Sequence, residues 1–192
     1  MPRILAEFEI ATARMTLRPL RETDRAEFIR MHEVSWKFFE PWSPTLRDSE
    51  TIGDLFTKQL RRTMDGLASG RDVRLAGFLR DGRLGGMFNL NEIVRGDFQN
   101  AYAGWKVNVE VARTGIGTEG VLAMLDIAFA DPPHGVGLHR VQANVIPHNV
   151  ASMKLAERTG FRREGLAARY LRIAGAWQDH VMFAKLAEEH RR

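Results

Sequence analysis

Two stretches of this chain carry residue types that could handle a phosphorylated, acylated ligand. The first is Arg113-Thr114-Gly115-Ile116-Gly117-Thr118-Glu119-Gly120, lying between a strand pattern and an amphipathic helix pattern. Glycines let a backbone come close to a ligand, and the free N–H groups at a helix start, with the positive end of the helix dipole, attract anions. Arg113 could add a charge-assisted contact to a phosphate. The letters Gly115-x-Gly117-x-x-Gly120 match a dinucleotide fingerprint, but no βαβ unit opens there, and no Lys-Ser or Lys-Thr pair makes a nucleoside-triphosphate loop. The same residues also read as a plain strand-to-helix turn in which Glu119 favours the dipole.

The second stretch runs from Asn144 to Phe161 and includes Asn149 and Ser152. Asn149 or a neighbour can cap a short helix, Gly160 can stop it in the C′ position, and Phe161 can return to the core. Ser152, Leu155, Ala156 and Thr159 share one helical face. A serine there can serve as a cap, or can give a proton to a buried ligand. No histidine stands at a fixed spacing that would make Ser152 a nucleophile.

Other chemistries fall away on composition. The chain has no cysteine, which excludes disulfides, thiolate nucleophiles, zinc ribbons and iron–sulfur clusters. His134 and His139 stand apart across Gly135 and Gly137, and no two histidines share a helical turn with a carboxylate, so no metal is expected. The formal net charge is +4, with 28 basic residues of which only five are lysine (Lys37, Lys58, Lys106, Lys154 and Lys185). The signs alternate with no basic stripe or interleaved aromatics, so no direct nucleic-acid site is expected. The longest apolar run, Val121 to Ala130, is broken by Asp126 and is too short to span a membrane. Met1 to Ile10 has no apolar signal core, which reads as cytoplasmic.

At 192 residues the chain is read as a single domain over 1–192, within the roughly 100–200 residues usual for one. Its elements must place the two stretches side by side. Ala13 to Leu20 alternates as a strand, and Thr23 or Asp24 can cap a helix to about Val34. The aromatic segment Trp36 to Trp42 falls between that helix and a second one, marked by Ile52, Leu55, Phe56, Leu60, Met64 and Leu67. Val73 to Arg80 and Leu84 to Asn91 read as a hairpin joined by Asp81-Gly82, both with φ > 0. Ala101 to Val109 is a third strand, followed by the glycine turn and a helix with Val121, Leu122, Leu125, Ala128 and Phe129 on one face. Arg140 to Ile146 is a strand and Ser152 to Arg158 a short helix. Strands near 162–173 and 178–186 then meet at Ala174-Gly175. The order β-α-α-β-β-β-α-β-α-β-β gives an α/β fold with a mixed, mostly antiparallel sheet and helices on both faces.

Taken together, the phosphate-type turn, the following strand, Asn149-x-x-Ser152, the short helix and Gly160-Phe161 resemble the GNAT acetyltransferases. Within them, Phe38 to Pro44, Ile93 to Phe98, Ile146 to Ser152 and Tyr170 to His180 resemble the RimJ/RimL-type enzymes, which acetylate the N-terminal alanine of ribosomal proteins. The resemblance covers nearly all the chain after about Ala11. It implies a splayed acyl-CoA cleft between the strands around Val107 and Val141 to Val145, with acetyl-CoA as donor. It also implies direct attack by a primary amine, here the N-terminus of an alanine-starting ribosomal protein. Trp105, Lys106 and Val107 would hold the acetyl carbonyl and pantetheine through backbone groups. Arg113, Thr114, Gly115, Ile116, Gly117 and Thr118 would carry the pyrophosphate. Asn149 would bond the pantetheine arm, and Ser152 would stand near the departing sulfur. Phe39, Glu40, Trp42 and Tyr170 are the acceptor-side candidates.

Three positions depart from the family pattern. Ala112 stands where Gln or Arg is usual, Ala156 where related enzymes place a tyrosine acid, and Asn144 where they place a glutamate. Ser152 is therefore the candidate acid. The base is open among Glu40, Glu92, His148 and a bound water. Two rival readings remain: an acetyltransferase for a small or antibiotic-like amine, and a non-catalytic acyl-CoA-binding or ribosome-assembly protein.

Overall fold

The computed structural model describes residues 9–44 and 49–190. Residues 1–8, most of the stretch read for a signal core, lie outside them. Strands β1 (Ile10–Ala11) and β2 (Met15–Arg18) lead to helix α1 (Arg25–Phe39) and, further on, α2 (Ile52–Ser69). Strands β3 (Val73–Leu79), β4 (Leu84–Val94) and β5 (Asn100–Val107) precede α3 (Ile116–Phe129). Then come β6 (Arg140–Val145), α4 (Val150–Arg158), β7 (Arg162–Ile173), β8 (Ala176–Leu186) and the short α5 (Ala187–His190). The eight strands form one sheet in the order β1-β2-β3-β4-β5-β6-β8-β7. Every neighbouring pair is antiparallel except β5 and β6.

Alternation along β4 divides its side chains between two cores. Phe88 and Leu90 pack with Val121, Met124, Leu125 and Phe129 of α3. Met87 packs on the opposite face with Phe28, Met31 and Phe39 of α1 and Phe56 of α2. The sheet is thus covered by helices on both faces. Among the described residues no helix is long and apolar enough to cross a membrane.

Four local expectations change. Helix α1 does not stop near Val34 but runs to Phe39, because nothing from Ser35 to Phe39 breaks a helix before Pro41. Ser35 is fully buried there, and its Oγ accepts from the Val109 amide at 3.1 Å. At the helix start the Asp24 carboxylate makes no cap; it accepts from Arg18 at 2.7 and 2.8 Å and from the Arg21 amide at 2.7 Å. The β3–β4 turn has only Gly82 at positive φ (87°), not Asp81 as well. Leu79 donates to the Arg83 carbonyl at 2.8 Å and Gly82 to that of Leu79 at 3.0 Å, which makes a three-residue loop closing on glycine. Finally, Leu122 is exposed on α3, while Ala123, Met124 and Ile127 join the buried set.

One break in the sheet positions everything that follows. β5 pairs with β6 only from Asn100 opposite Arg140 to Ala103 opposite Ala143. Beyond that point Gly104 to Val107 stay bonded to β4, and Asn144 and Val145 to β8. The parallel strands therefore splay at their C-terminal ends, where unpaired backbone groups face a cleft.

Candidate active site

The glycine turn is anchored from the far end of the sheet. Gly115 is the N-cap of α3 with φ 92°, a left-handed conformation that glycine takes without strain, and it offers no side chain to cap the helix. Arg14 bonds the Glu119 carboxylate through Nε at 2.7 Å and the Thr114 carbonyl through Nη1 at 2.6 Å. Glu119 also accepts from Thr12 Oγ1 at 2.5 Å and from the Arg14 amide at 2.7 Å. Burial alone would raise the Glu119 carboxyl, but these bonds outweigh it and hold it below the ordinary carboxylate range. Glu119 thus ties the turn to the link between β1 and β2, a role that its place in the first turn of α3 did not disclose.

Helix α4 closes the other wall. Asn149 is its N-cap, with Oδ1 accepting from the Ser152 amide at 3.1 Å. The Asn149 Nδ2 group makes no hydrogen bond among the described residues. Ser152 Oγ accepts from Trp105 Nε1 at 3.3 Å, so its own hydrogen is left to donate elsewhere. Ala156, at the position of the tyrosine acid, is fully buried beneath the helix.

Between these walls lies a cleft of about 580 Å³. Its floor is Trp105, Lys106 and Val107 of the splayed strand; Ala112, Arg113, Gly115, Gly117 and Thr118 form one side. Asn149, Ser152, Lys154, Leu155 and Arg158 form the other, and Phe38, Phe39, Trp42 and Ser43 the mouth. Lys106, Arg113, Lys154 and Arg158 all line this space, and no Asp or Glu does. Among the described residues none of these cations is in a salt bridge. An anion entering the cleft meets unpaired positive charge and helix-start amides together, the physical requirement of a polyphosphate site.

The mouth is built by the end of α1 and the 3-10 turn Glu40–Trp42. It is held to the β7–β8 turn by the Ala174 amide donating to the Ser43 carbonyl at 3.3 Å. The Ser43 hydroxyl is buried without a hydrogen-bond partner among the described residues. Lys106 Nζ lies 5.1 Å from the centre of the Phe39 ring, and burial brings its ammonium down to about 8. His32, 2% exposed, stacks on Phe28 and is pulled down to about 4, first by burial and then by Lys106.

Most of the residues singled out in the sequence converge on this cleft. Thr114 and Ile116 do not line it: Thr114 Oγ1 donates to the Val111 carbonyl at 2.7 Å, and the Ile116 side chain is in the core. Glu40 is exposed outside it, although Phe39 and Trp42 beside it are in the wall. Tyr170 stands off the cleft, where a bulge between Ala167 and Leu171 places its hydroxyl to accept from Asn144 Nδ2 at 3.1 Å. Burial, then Tyr102, raises the Tyr170 phenol above its ordinary value. Of the base candidates, Glu92 is exposed with its amide tied to Asp72 at 2.9 Å. His148 packs its ring 5.2 Å from that of Trp42, outside the wall. Reading the sequence missed Lys154, Arg158 and Ser43. The first two stand four residues apart on a helix that also carries Leu155 in the wall, a same-face pairing that spacing alone could have shown.

The family model described as "Acetyltransferase (GNAT) domain" matches residues 14–162. The chain belongs to the GNAT acetyltransferase family. The splayed strands and the glycine turn are the GNAT features expected from the motifs. This GNAT chain is 33% identical over 171 residues to the Bacillus subtilis (strain 168) protein named "Probable N-acetyltransferase YjcK", covering 88% of this chain and 92% of that one. It is 28% identical over 176 residues to the Escherichia coli (strain K12) [Ribosomal protein uS5]-alanine N-acetyltransferase, covering 91% and 89%. Among solved structures, Mycobacterium smegmatis RimJ in complex with CoA-disulfide superposes with a TM-score of 0.81 at 30% identity, covering 91% of this chain and 83% of that one.

Proposed function

We propose that this protein transfers an acetyl group from acetyl-CoA to a primary amine, and that its acceptor is the N-terminal α-amine of an alanine-starting ribosomal protein. The observation that carries the donor half is the cleft at the strand splay, lined by unpaired cations and helix-start amides and free of carboxylates. The acceptor half is supported by the aromatic mouth of Phe38, Phe39 and Trp42, together with likeness over most of the chain to a uS5-alanine acetyltransferase.

In this reading the CoA phosphates lie against Arg113, Lys154, Arg158 and the turn Gly115 to Thr118, while Thr114 and Ile116 contribute backbone only. The backbone of Trp105 to Val107, unpaired toward β6, receives the thioester carbonyl and is fixed before charge develops there. Asn149 Nδ2 bonds the pantetheine arm. The amine attacks the thioester carbonyl directly, an N–C bond forms and the C–S bond breaks. Ser152 hydrogen-bonds the departing thiolate and relays to it the proton shed by the attacking nitrogen, ending as the hydroxyl it began. No carboxylate lines the cleft wall, so in this reading the amine arrives neutral, and the proton it sheds after attack leaves on the thiolate as CoA thiol. Cytoplasmic placement belongs to this reading as well.

The test is release of CoA thiol from acetyl-CoA with a short alanine-starting peptide, against the same peptide blocked at its N-terminus. Release with the free peptide alone is expected. In the Ser152→Ala variant kcat should fall by about a hundredfold, the low end of what one positioned acid contributes. Equal release with both peptides would overturn the α-amine acceptor. No release with either, while a small polyamine or antibiotic-like amine is acetylated, would replace it by the small-amine reading.

A further inference from the structure

The mechanism above uses the backbone of Lys106 and leaves its side chain unassigned. Trp105 and Val107 on either side turn their side chains into the core shared with α3 and α4. Alternation sends Lys106 to the opposite face, where its Nζ lies against the Phe39 ring and close to His32. Lys106 therefore rises from the strand segment assigned to the acetyl carbonyl, on the side from which an amine enters past Phe38, Phe39 and Trp42. It is itself a primary amine. Among the described residues it has no hydrogen bond and no carboxylate partner, only the aromatic ring.

We propose that Lys106 is an acetyl acceptor in its own right and is modified by the protein's own acetyl-CoA when no external amine fills the mouth. Unprotonated Nζ attacks the thioester carbonyl, an N–C bond forms, the C–S bond breaks, and CoA leaves as thiolate. The proton shed by Nζ passes to that thiolate, giving free CoA thiol and Nε-acetyllysine. Burial favours both ends of this step. With its ammonium brought down to about 8, Lys106 is about half neutral near that pH, against about 0.3% for an ordinary lysine. The product replaces a half-buried charge beside an aromatic ring by a neutral amide, removing the desolvation cost of the cation. The acetyl group would then occupy the acceptor side of the cleft, so the modified protein would be closed to other amines.

The scarcity of lysine makes the outcome easy to map. Lys58 is paired with Glu50, and Lys185 donates to the Thr159 carbonyl at 2.9 Å beneath α4. Lys37 lies on α1 outside the cleft wall, and Lys154 lines the wall on α4.

The inference rests on acetyl-CoA as donor but not on the peptide acceptor. The folded, full-length protein is incubated with acetyl-CoA near pH 8 without acceptor, then analysed by intact mass and peptide mapping. A single acetyl increment on Lys106 is expected, forming at least about tenfold faster than on any other lysine. Excess free CoA should suppress it, and Lys106→Arg should abolish it. Thermal stabilisation by CoA is read in parallel. CoA stabilisation without an increment, or increments spread evenly over the lysines or centred on Lys154, would overturn the proposal while leaving the donor reading intact. Absence of both stabilisation and increment would overturn the donor reading together with it.

Discussion

The two ends of the cleft are made in different ways. The end proposed for the donor is backbone and fixed charge: the turn at Gly115, the first amides of α3, and Arg113, Lys154 and Arg158 with no acid among them. The end proposed for the acceptor is side-chain packing: Phe38 and Phe39 from the end of α1, Trp42 from the turn after it, a buried Ser43 hydroxyl unpartnered among the described residues, and Lys106 under an aromatic ring. The first end suits any CoA thioester, because a pyrophosphate presents the same oxygens whatever acyl group follows. In the proposed reading the second chooses among amines, and its shape depends on how the turn after α1 meets the β7–β8 turn. In the proposed reading, generic recognition falls to main chain and fixed charge, and selection to a few packed side chains.

The largest expected effect strikes the seat of the donor end. A Cβ on Gly120 would fall 2.0 Å from Phe88 Cζ, inside a ring that is fully buried. Gly120→Ala should therefore cost about 3 kcal/mol, as overpacking at an unyielding site does. Urea unfolding would show it, and a loss below about 1 kcal/mol would mean that α3 lifts off the sheet easily.

A second expectation separates the two ends by pH. His32 under the acceptor end is held at about 4, below its ordinary value. The unfolded chain then binds a proton that the folded chain refuses, so stability present above about 6.5 is lost as pH falls toward about 4. Between about pH 7 and about pH 5 this amounts to about 2 kcal/mol. Glu119 at the donor end is also depressed, but its contribution is lost only below the ordinary carboxylate range. The slope of stability between about pH 7 and about pH 5 should flatten in His32→Phe, which keeps a ring on Phe28. An unchanged slope would move the acid sensitivity elsewhere.

The smallest effects sharpen the comparison most directly. Arg158→Ala should raise KM for acetyl-CoA about tenfold, the value of one charge-assisted contact, and barely move KM for the amine. Trp42→Ala should do the reverse, raising the amine KM by about fivefold through lost aromatic contact. Steady-state kinetics in both substrates would decide it. If both variants moved both constants together, the two ends would not be separate devices.

Much of the donor end was legible in the chain. Positive φ at the turn, an Asn cap three residues before Ser152 and a helix-stopping Gly160 are local requirements, and local requirements leave letters at fixed spacing. The order of elements followed from period and turn residues, apart from the two-residue β1 and the short α5, which are too short to show a period. The acceptor end was not legible to the same degree. Phe39, Glu40 and Trp42 are neighbours in sequence, yet only the first and last reach the cleft, because a helical turn points Glu40 the other way. Tyr170 was placed by a bulge in β7, which no residue pattern announces. Lys106 was singled out for its backbone alone, until the alternation of β5 and the course of α1 put its amine beside Phe39.

The sequence by itself determined the order of the longer elements, the glycine turn and the Asn149–Ser152 helix start, since each depends on residues within a few positions of one another. The tertiary structure decided where β5 leaves β6, which cations stay unpaired, and what stands at the mouth. Those depend on contacts between residues distant in the chain, whose energies no local pattern encodes.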